Sequence, residues 1–402
     1  MKSFSPVRIL HWSACLAIII ATLFVYSKDL DSYTFYHGDE GYWIETAKWT
    51  FGKFAIERDF SANEWTSAPL GPYGRPNPNV AKLLIGGWLY LNGYRDFRGS
   101  KWDWSQSVQW NMEHGNAAPV DELRVARWLQ VLMTALVAGM LFMGISLSAS
   151  NLSKGIVGGI ASVIVFLTHP LVLASGRRVM VDMPAVFFSV MSVMCAWRAV
   201  TTYETPSLGA NRKLWGVLAG ILSGMAVSAK LNAGIMPLLT VIVGVYALLS
   251  CETKKDRLFW IFTLLLPPII FLALHPQLWP NIMTGIRVML DFGAHVASLR
   301  DKYPESALWT PADRIRAFYS AVFRFPFVLL VFTFGVVQLV KDYHKTWPVL
   351  VYGALAFSAV MLWTPLYWSR YYLPAVPFLA LAIGYFFANV VLGSGYGQDN
   401  KV

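Results

Sequence analysis

The chain has 402 residues, 56% hydrophobic and only 14% charged, with a formal net charge of +10 at pH 7. Soluble domains carry about 25% charge, so the composition excludes an ordinary cytosolic enzyme, and its apolar content excludes a disordered chain. The basic excess fits either a nucleic-acid partner or positive loops between membrane spans; the long apolar runs select the second, and no nucleic-acid partner is expected.

A span needs about 20 apolar residues to cross ~30 Å of hydrocarbon. The first run covers 9–27. Trp12 and Tyr26 bracket it as interfacial anchors, and no small-residue cleavage site follows, so it reads as an uncleaved span. The segment 28–122 comes next and holds Trp43, Trp49, Trp65, Trp88, Trp102, Trp104 and Trp110. Such rings offer faces for sugars and edges for the interface. In it, Val80, Leu83, Leu84, Gly87, Trp88 and Leu91 recur at helical spacing. That run is too short to cross, so it predicts a helix on the membrane surface. Trp43, Ala47 and Phe51 predict another short helix after Glu40.

Further spans are expected at 124–148, 155–175, 183–201, 214–231, 234–251, 258–274, 318–340, 347–364 and 371–392, about ten in all. The stretch 214–251 is too long for one crossing. Lys230, Asn232, Gly234 and Pro237 break it into a hairpin. A second long loop covers 275–317. Cys15, Cys195 and Cys251 sit in or beside apolar runs without a CxxC and read as buried apolar residues. The expected fold is all-α and polytopic: one transmembrane domain over 1–402, with no separate soluble domain.

Orientation follows from Lys and Arg in the short loops. With the N-terminus inside, the inner segments carry Lys2, Arg8, Lys154, Arg198, Arg212, Lys213, Lys254, Lys255, Arg257, Lys341, Lys345 and Lys401. The short outer loops carry Arg177, Arg178, Lys230 and Arg370. Both long loops then face outward. Asn151-Leu-Ser153 matches a glycosylation acceptor, but this topology puts it inside, unused.

Ionisable groups at membrane depth are costly and are functional candidates by default. Those at span ends are Asp39, Glu40, Arg177, Arg178, Asp182, Lys230, His275, Arg324 and Arg370. By parity all fall on the outer face. They describe an amphiphilic cleft at headgroup level. A lipid-phosphate-linked substrate suits it: cations would hold the phosphate, and a carboxylate would accept a proton from an incoming hydroxyl.

The same residues carry a family resemblance. HGDEGYWIETAKW, from His37, resembles the acidic first outer loop of GT-C glycosyltransferases. GRRVMVDMPAVFF, from Gly176, is similar to their second acidic motif. GILSGMAVSAKLNAGIMP, from Gly220, resembles their glycine-rich span ending in Lys. SRYYLPAVPFLALAIGYF, from Ser369, resembles the closing span of the aminoarabinose transferase and dolichyl-phosphate-mannose protein mannosyltransferase group. The four occur in family order.

The resemblance implies a GT-C-like bundle and inverting transfer of a hexose or pentose from an undecaprenyl- or dolichyl-phosphate donor to a glycan, lipid or protein hydroxyl. It makes Asp39 the general base, puts Glu40 at the second acidic position, and gives Asp182 a part in orienting the acceptor or in holding the first-loop constellation. Arg177 or Arg178, Lys230 and Arg370 would neutralise the leaving phosphate; His275, Arg324 and Tyr371 are further candidates. A divalent cation on Asp39 and Glu40 is compatible with hard oxygen ligands, with no firm cofactor. The chain is expected to depart from both groups in lacking their soluble domains. A bacterial inner membrane, rather than the ER membrane, is the expected site, with the cleft on the periplasmic or lumenal side.

Competing readings exist. Asp39, Glu40 and Asp182 suit helix N-termini as caps, and the arginines suit headgroup anchoring. A transporter or flippase of a lipid-linked sugar should show internal repeats and broken helices at mid-membrane, and neither is visible. A non-catalytic subunit of a glycosylating complex would not need the ordered motifs.

Overall fold

A computed structural model describes residues 6–391 apart from 35, 62–63, 66–76, 104, 150, 202–208 and 251–252. Trp104 and Cys251 lie outside the described residues. The helices are α1 (Pro6–Tyr26), α2 (Gly38–Phe51), α3 (Val80–Leu91), α4 (Val108–Glu113), α5 (Val120–Ser148), α6 (Leu152–Thr168), α7 (Pro170–Ser175), α8 (Asp182–Thr201), α9 (Gly209–Ala229), α10 (Ile235–Leu249), α11 (Lys254–Ala273), α12 (Ile282–Ser298), α13 (Pro311–Phe318), α14 (Pro326–Lys341), α15 (Tyr343–Trp363) and α16 (Val376–Phe386).

Local chemistry sets the boundaries. His37 caps α2: its side chain accepts from the Asp39 N–H, while the Glu40 side chain accepts from the His37 N–H. This reciprocal pair satisfies two of the orphan donors at a helix start. Asn151 caps α6 by accepting from Lys154 N–H at 2.9 Å. Thr310 and Asp313 form a capping box on α13.

Among the described residues, seven helices are long and apolar enough to cross a membrane, and an eighth if a bent pair counts as one span. The protein is a multi-pass integral membrane protein. Three of the ten expected spans are not among the seven: 214–231 forms the helix α9 without being one of them, and two others change shape. The run 155–175 ends at Thr168, because Pro170 disfavours a helical residue before it and opens α7 instead. The run 318–340 is not straight. Residues Tyr319–Phe323 are π-helical, Arg324 turns to φ 63°, and Phe325 is extended before Pro326. The segments on either side differ in direction by 86°.

Lipid tails are as apolar as leucine, so close packing rather than water exclusion joins helices in a membrane. α1 and α6 pack on α5, α16 packs between α6 and α14, and α8 packs along α9, which packs on α11. The α6–α16 crossing needs glycine on both sides. A Cβ on Gly158 would lie 2.6 Å from the Gly384 carbonyl, and one on Gly384 would lie 2.7 Å from the Gly158 carbonyl. Phe318, Phe323, Phe332, Phe357 and Phe378 form an aromatic cluster where α13, α14, α15 and α16 meet. The long segment after α1 folds back over one end of the bundle, with α2 packed on α3 and both touching α5.

Candidate active site

Four of the predicted residues meet at the end of the bundle that carries α2. Asp39, in the first turn of α2, accepts from an Arg370 guanidinium nitrogen. Asp182, the first residue of α8, accepts from the Lys230 ammonium. Arg370 also feels Asp182, and Lys230 feels Asp39 and Arg370. Both cations lie over Tyr371, Lys230 at 4.8 Å and Arg370 at 5.9 Å from its ring centroid; Arg370 also covers Trp368 at 5.5 Å. Four segments distant in sequence thus join carboxylates, cations and aromatic faces. Helix breaks make this reachable: Lys230 stands between α9 and the 3-10 turn Leu231–Gly234, and Arg370 lies in the 3-10 turn Ser369–Ala375.

Burial separates the two neighbouring acids. Asp39 keeps 19% side-chain exposure, while Glu40 and Arg127 have none. Arg127 donates to both Glu40 oxygens, at 2.9 and 2.7 Å. Glu40 also accepts from Val179 N–H at 2.9 Å and His37 N–H at 3.0 Å. The remaining Arg127 nitrogen donates to the carbonyls of Leu30 and Ser32 at 2.9 and 2.7 Å. The Arg127–Glu40 pair therefore ties the first loop, α2, α5 and, through the Val179 N–H on Glu40, the 176–181 turn together. Glu40 spends its oxygens inside this knot, so Asp39 is the member of the pair left toward the cleft. Metal geometry follows from the same fact: among the described residues no cluster of three or more His, Cys, Asp or Glu gathers, and Asp39 and Glu40 point to different partners.

The two arginines of the second motif also part. Arg177 lies 5.1 Å from the Tyr26 ring and donates to the Val25 carbonyl at 3.3 Å, at the top of α1. Arg178 is the one within the field of His37, Glu40 and Arg370. Burial lowers its proton affinity, and Glu40 works against that. Burial likewise holds the His37 imidazole below its usual range, with Asp39 acting the other way. Its Nδ1 is already an acceptor for Asp39 N–H, which requires the neutral ring.

His275 and Arg324 are not brought into this cluster. His275 belongs to a buried knot with α3: its Nε2 accepts from Asn79 N–H at 3.2 Å, and its Nδ1–H donates to the Phe271 carbonyl. Asn79 bonds Gln277 at 2.7 Å and the Leu274 carbonyl at 3.0 Å. Lys82 is buried beside it, donates to the Asn77 carbonyl at 2.9 Å, and is pushed down to about 7 by desolvation. Burial pushes His275 down to about 3. Arg324 sits at the corner before α14.

Sequence reading missed Arg127 and the Lys48 triad. Arg127 was detectable, since it falls inside an expected span and intramembrane arginines are costly. Lys48 bonds Glu45 at 2.7 Å and Glu122 at 2.9 Å, with 1% exposure. Nothing in the local pattern marks that contact. Trp102 packs against the start of α2: a Cβ on Gly38 would lie 2.5 Å from its indole.

Residues 73–279, just over half the chain, match the family model described as dolichyl-phosphate-mannose-protein mannosyltransferase. The match takes in Arg127, Asp182 and Lys230 and leaves out Asp39 and Arg370. No curated protein matches the sequence. Among solved structures, apo ArnT from Cupriavidus metallidurans has a TM-score of 0.54 at 13% identity, covering 94% of this chain and 59% of ArnT. The archaeal oligosaccharyltransferase AglB from Archaeoglobus fulgidus, in complex with an inhibitory peptide and a dolichol-phosphate, has a TM-score of 0.51 at 11% identity, covering 92% of this chain and 50% of AglB. The chain thus spans between half and three fifths of these proteins, and at such identity the likeness is one of fold. By the extent of the family match, the chain belongs to the dolichyl-phosphate-mannose-protein mannosyltransferase family, and it has the fold of the GT-C glycosyltransferases.

Proposed function

We propose that the protein is an inverting glycosyltransferase that moves a sugar from a polyprenyl-phosphate donor to an acceptor hydroxyl, on the membrane face that carries the first long loop. The observation that carries this reading is the pairing of a partly exposed Asp39 with Arg370 beside the Asp182–Lys230 pair. Donor phosphate would compete with Asp39 for Arg370 and with Asp182 for Lys230. Its arrival releases the Asp39 carboxylate at the moment a base is needed. The acceptor oxygen then attacks the anomeric carbon, its proton passes to Asp39, and the bond from that carbon to the phosphate oxygen breaks with its electron pair on polyprenyl phosphate. Arg370, Lys230 and Arg178 stabilise that leaving charge. Asp182 positions Lys230 before the donor arrives and the acceptor after it. Glu40 acts through position only, by fixing the first turn of α2. Family membership and the dolichol-phosphate in the AglB complex support a lipid-phosphate donor.

The test is incubation of the purified protein with a labelled polyprenyl-phosphate hexose and candidate acceptors. Donor consumption with inversion at the anomeric carbon is expected. Vectorial movement of intact donor, with no cleavage, would overturn the enzyme reading in favour of a flippase.

A further inference from the structure

The 86° corner before α14 opens a groove that the site above does not use. It has a volume of about 290 Å³ and lies between α6, α14 and α16. Its walls are apolar along their length, with Val165, Val331, Leu379, Ile383 and Phe387 among them. Leu379, Ile383 and Phe387 follow one another at four-residue spacing, so the groove runs down the helix rather than across it.

One charged group stands at its mouth. Arg324 is exposed and, among the described residues, its guanidinium has no ion-pair or hydrogen-bond partner. Its backbone holds φ 63°, a conformation that branched and long side chains rarely adopt. His169 shares the mouth but has no free nitrogen: Nδ1 accepts from Leu171 N–H at 3.2 Å and Nε2 donates to the Val322 carbonyl at 3.1 Å. The mouth therefore presents one positive charge and no negative one. α14 runs 16 residues from Pro326 to Lys341, about 24 Å at 1.5 Å per residue. That is close to the ~30 Å hydrocarbon thickness, so Arg324 stands at headgroup level if Lys341 reaches the opposite face.

A lone guanidinium at that level, with an apolar channel leading from it into the hydrocarbon, matches an anionic lipid in both its parts. It does not match the donor of the proposed reaction. Asp39 and Asp182 are held by Arg370 and Lys230, and a donor phosphate on Arg324 would be bound by a cation that pairs with neither carboxylate. We propose that this groove binds an anionic glycerophospholipid, its phosphodiester on Arg324 and one acyl chain along α14 and α16. The lipid fills the corner that the broken span leaves open.

The experiment places the full chain in phosphatidylcholine nanodiscs with a trace of phosphatidylglycerol that carries a photoreactive acyl chain. Crosslinked peptides are then mapped. Labels are expected in 165–170, 322–331 and 379–387. Arg324→Gln should reduce them about tenfold, as expected for loss of a charge-assisted bond, and Arg324→Lys should restore much of the signal. If Arg324→Gln fails to fold, Val328→Trp carries the test: from a partly exposed position on the groove wall it fills the groove, keeps the guanidinium, and should remove the same labels. Equal labelling by a photoreactive phosphatidylcholine overturns the proposal, as does unchanged labelling in the variants. Displacement of the probe by a polyprenyl monophosphate but not by unlabelled phosphatidylglycerol also overturns it, and would assign the groove to the donor instead.

Discussion

Asp39 and Glu40 are adjacent in sequence and carry the same charge, yet they occupy two different kinds of site. Glu40 lies in a sealed knot, with Arg127 and two backbone N–H groups around it and no exposure on either partner. Asp39 lies in an open cluster whose cations, Arg370 and Lys230, keep 27% and 15% side-chain exposure. The sealed pair is fully hydrogen-bonded and has no spare valence for a substrate. The open pair keeps part of its exposure, 27% for Arg370 and 19% for Asp39, so an incoming anion can reach it and exchange for its partner. Environment, more than residue type, separates architecture from chemistry here.

The largest effect should come from breaking the sealed pair. Arg127→Ala leaves an uncompensated buried carboxylate, which costs about 3–5 kcal/mol against a total stability of about 5–15 kcal/mol. Loss of folded protein on size-exclusion chromatography is expected. Accumulation at the wild-type level with an unchanged melting temperature would show that the knot is dispensable. The opposite signature is expected at Asp39→Asn: a melting temperature close to wild type, and transfer reduced by about 10²–10⁴-fold. Wild-type turnover in that variant removes Asp39 as the base.

The cations sharpen the contrast. Arg370→Gln and Lys230→Gln should each raise the KM for donor by roughly tenfold or more, the value of a charge-assisted phosphate contact, with smaller changes toward acceptor. Equal weakening toward both substrates would point to general disorder of the site.

The buried knot around His275 predicts a pH response. Its folded pKa of about 3 lies below the ordinary 6.5, so the unfolded chain binds the extra proton first. The contribution to stability is complete above about 6.5 and declines as pH falls toward 3. Protonation also removes the acceptor for Asn79 N–H. Melting measured across that window should flatten in His275→Asn; an identical acid slope would place its cause elsewhere. The smallest effect is expected at Arg177, which packs on Tyr26 away from the cluster. Arg177→Ala should leave donor KM within about twofold, since exposed contacts of this kind are worth about 1 kcal/mol or less, whereas Arg178→Ala should raise it further.

The sequence made the membrane character legible, and most helices fall where apolar runs predict them. The hydrophobic count sees length and polarity, so α1, α5 and α8 were readable. It does not see where a run bends. Tyr319 to Lys341 is apolar nearly throughout, and the corner at Arg324 arises from a positive φ and Pro326 together. At the site, Asp39, Asp182, Lys230, Arg370 and Tyr371 were legible as polar groups at span ends. Their pairing was not, because each partner comes from a different span.

What the sequence determined by itself is the solvent: apolar runs of crossing length, with cations gathered in alternate loops, commit this chain to a bilayer whatever its packing. It also set the local starts, such as the His37–Glu40 capping box, because those bonds close within one helical turn. Only the tertiary structure decided that Glu40 is sealed while Asp39 stays open, that Arg178 rather than Arg177 joins the cluster, and that Arg324 heads a separate groove. Those outcomes depend on which groups from distant segments share a neighbourhood, and hence on burial and on the partner each charge finds.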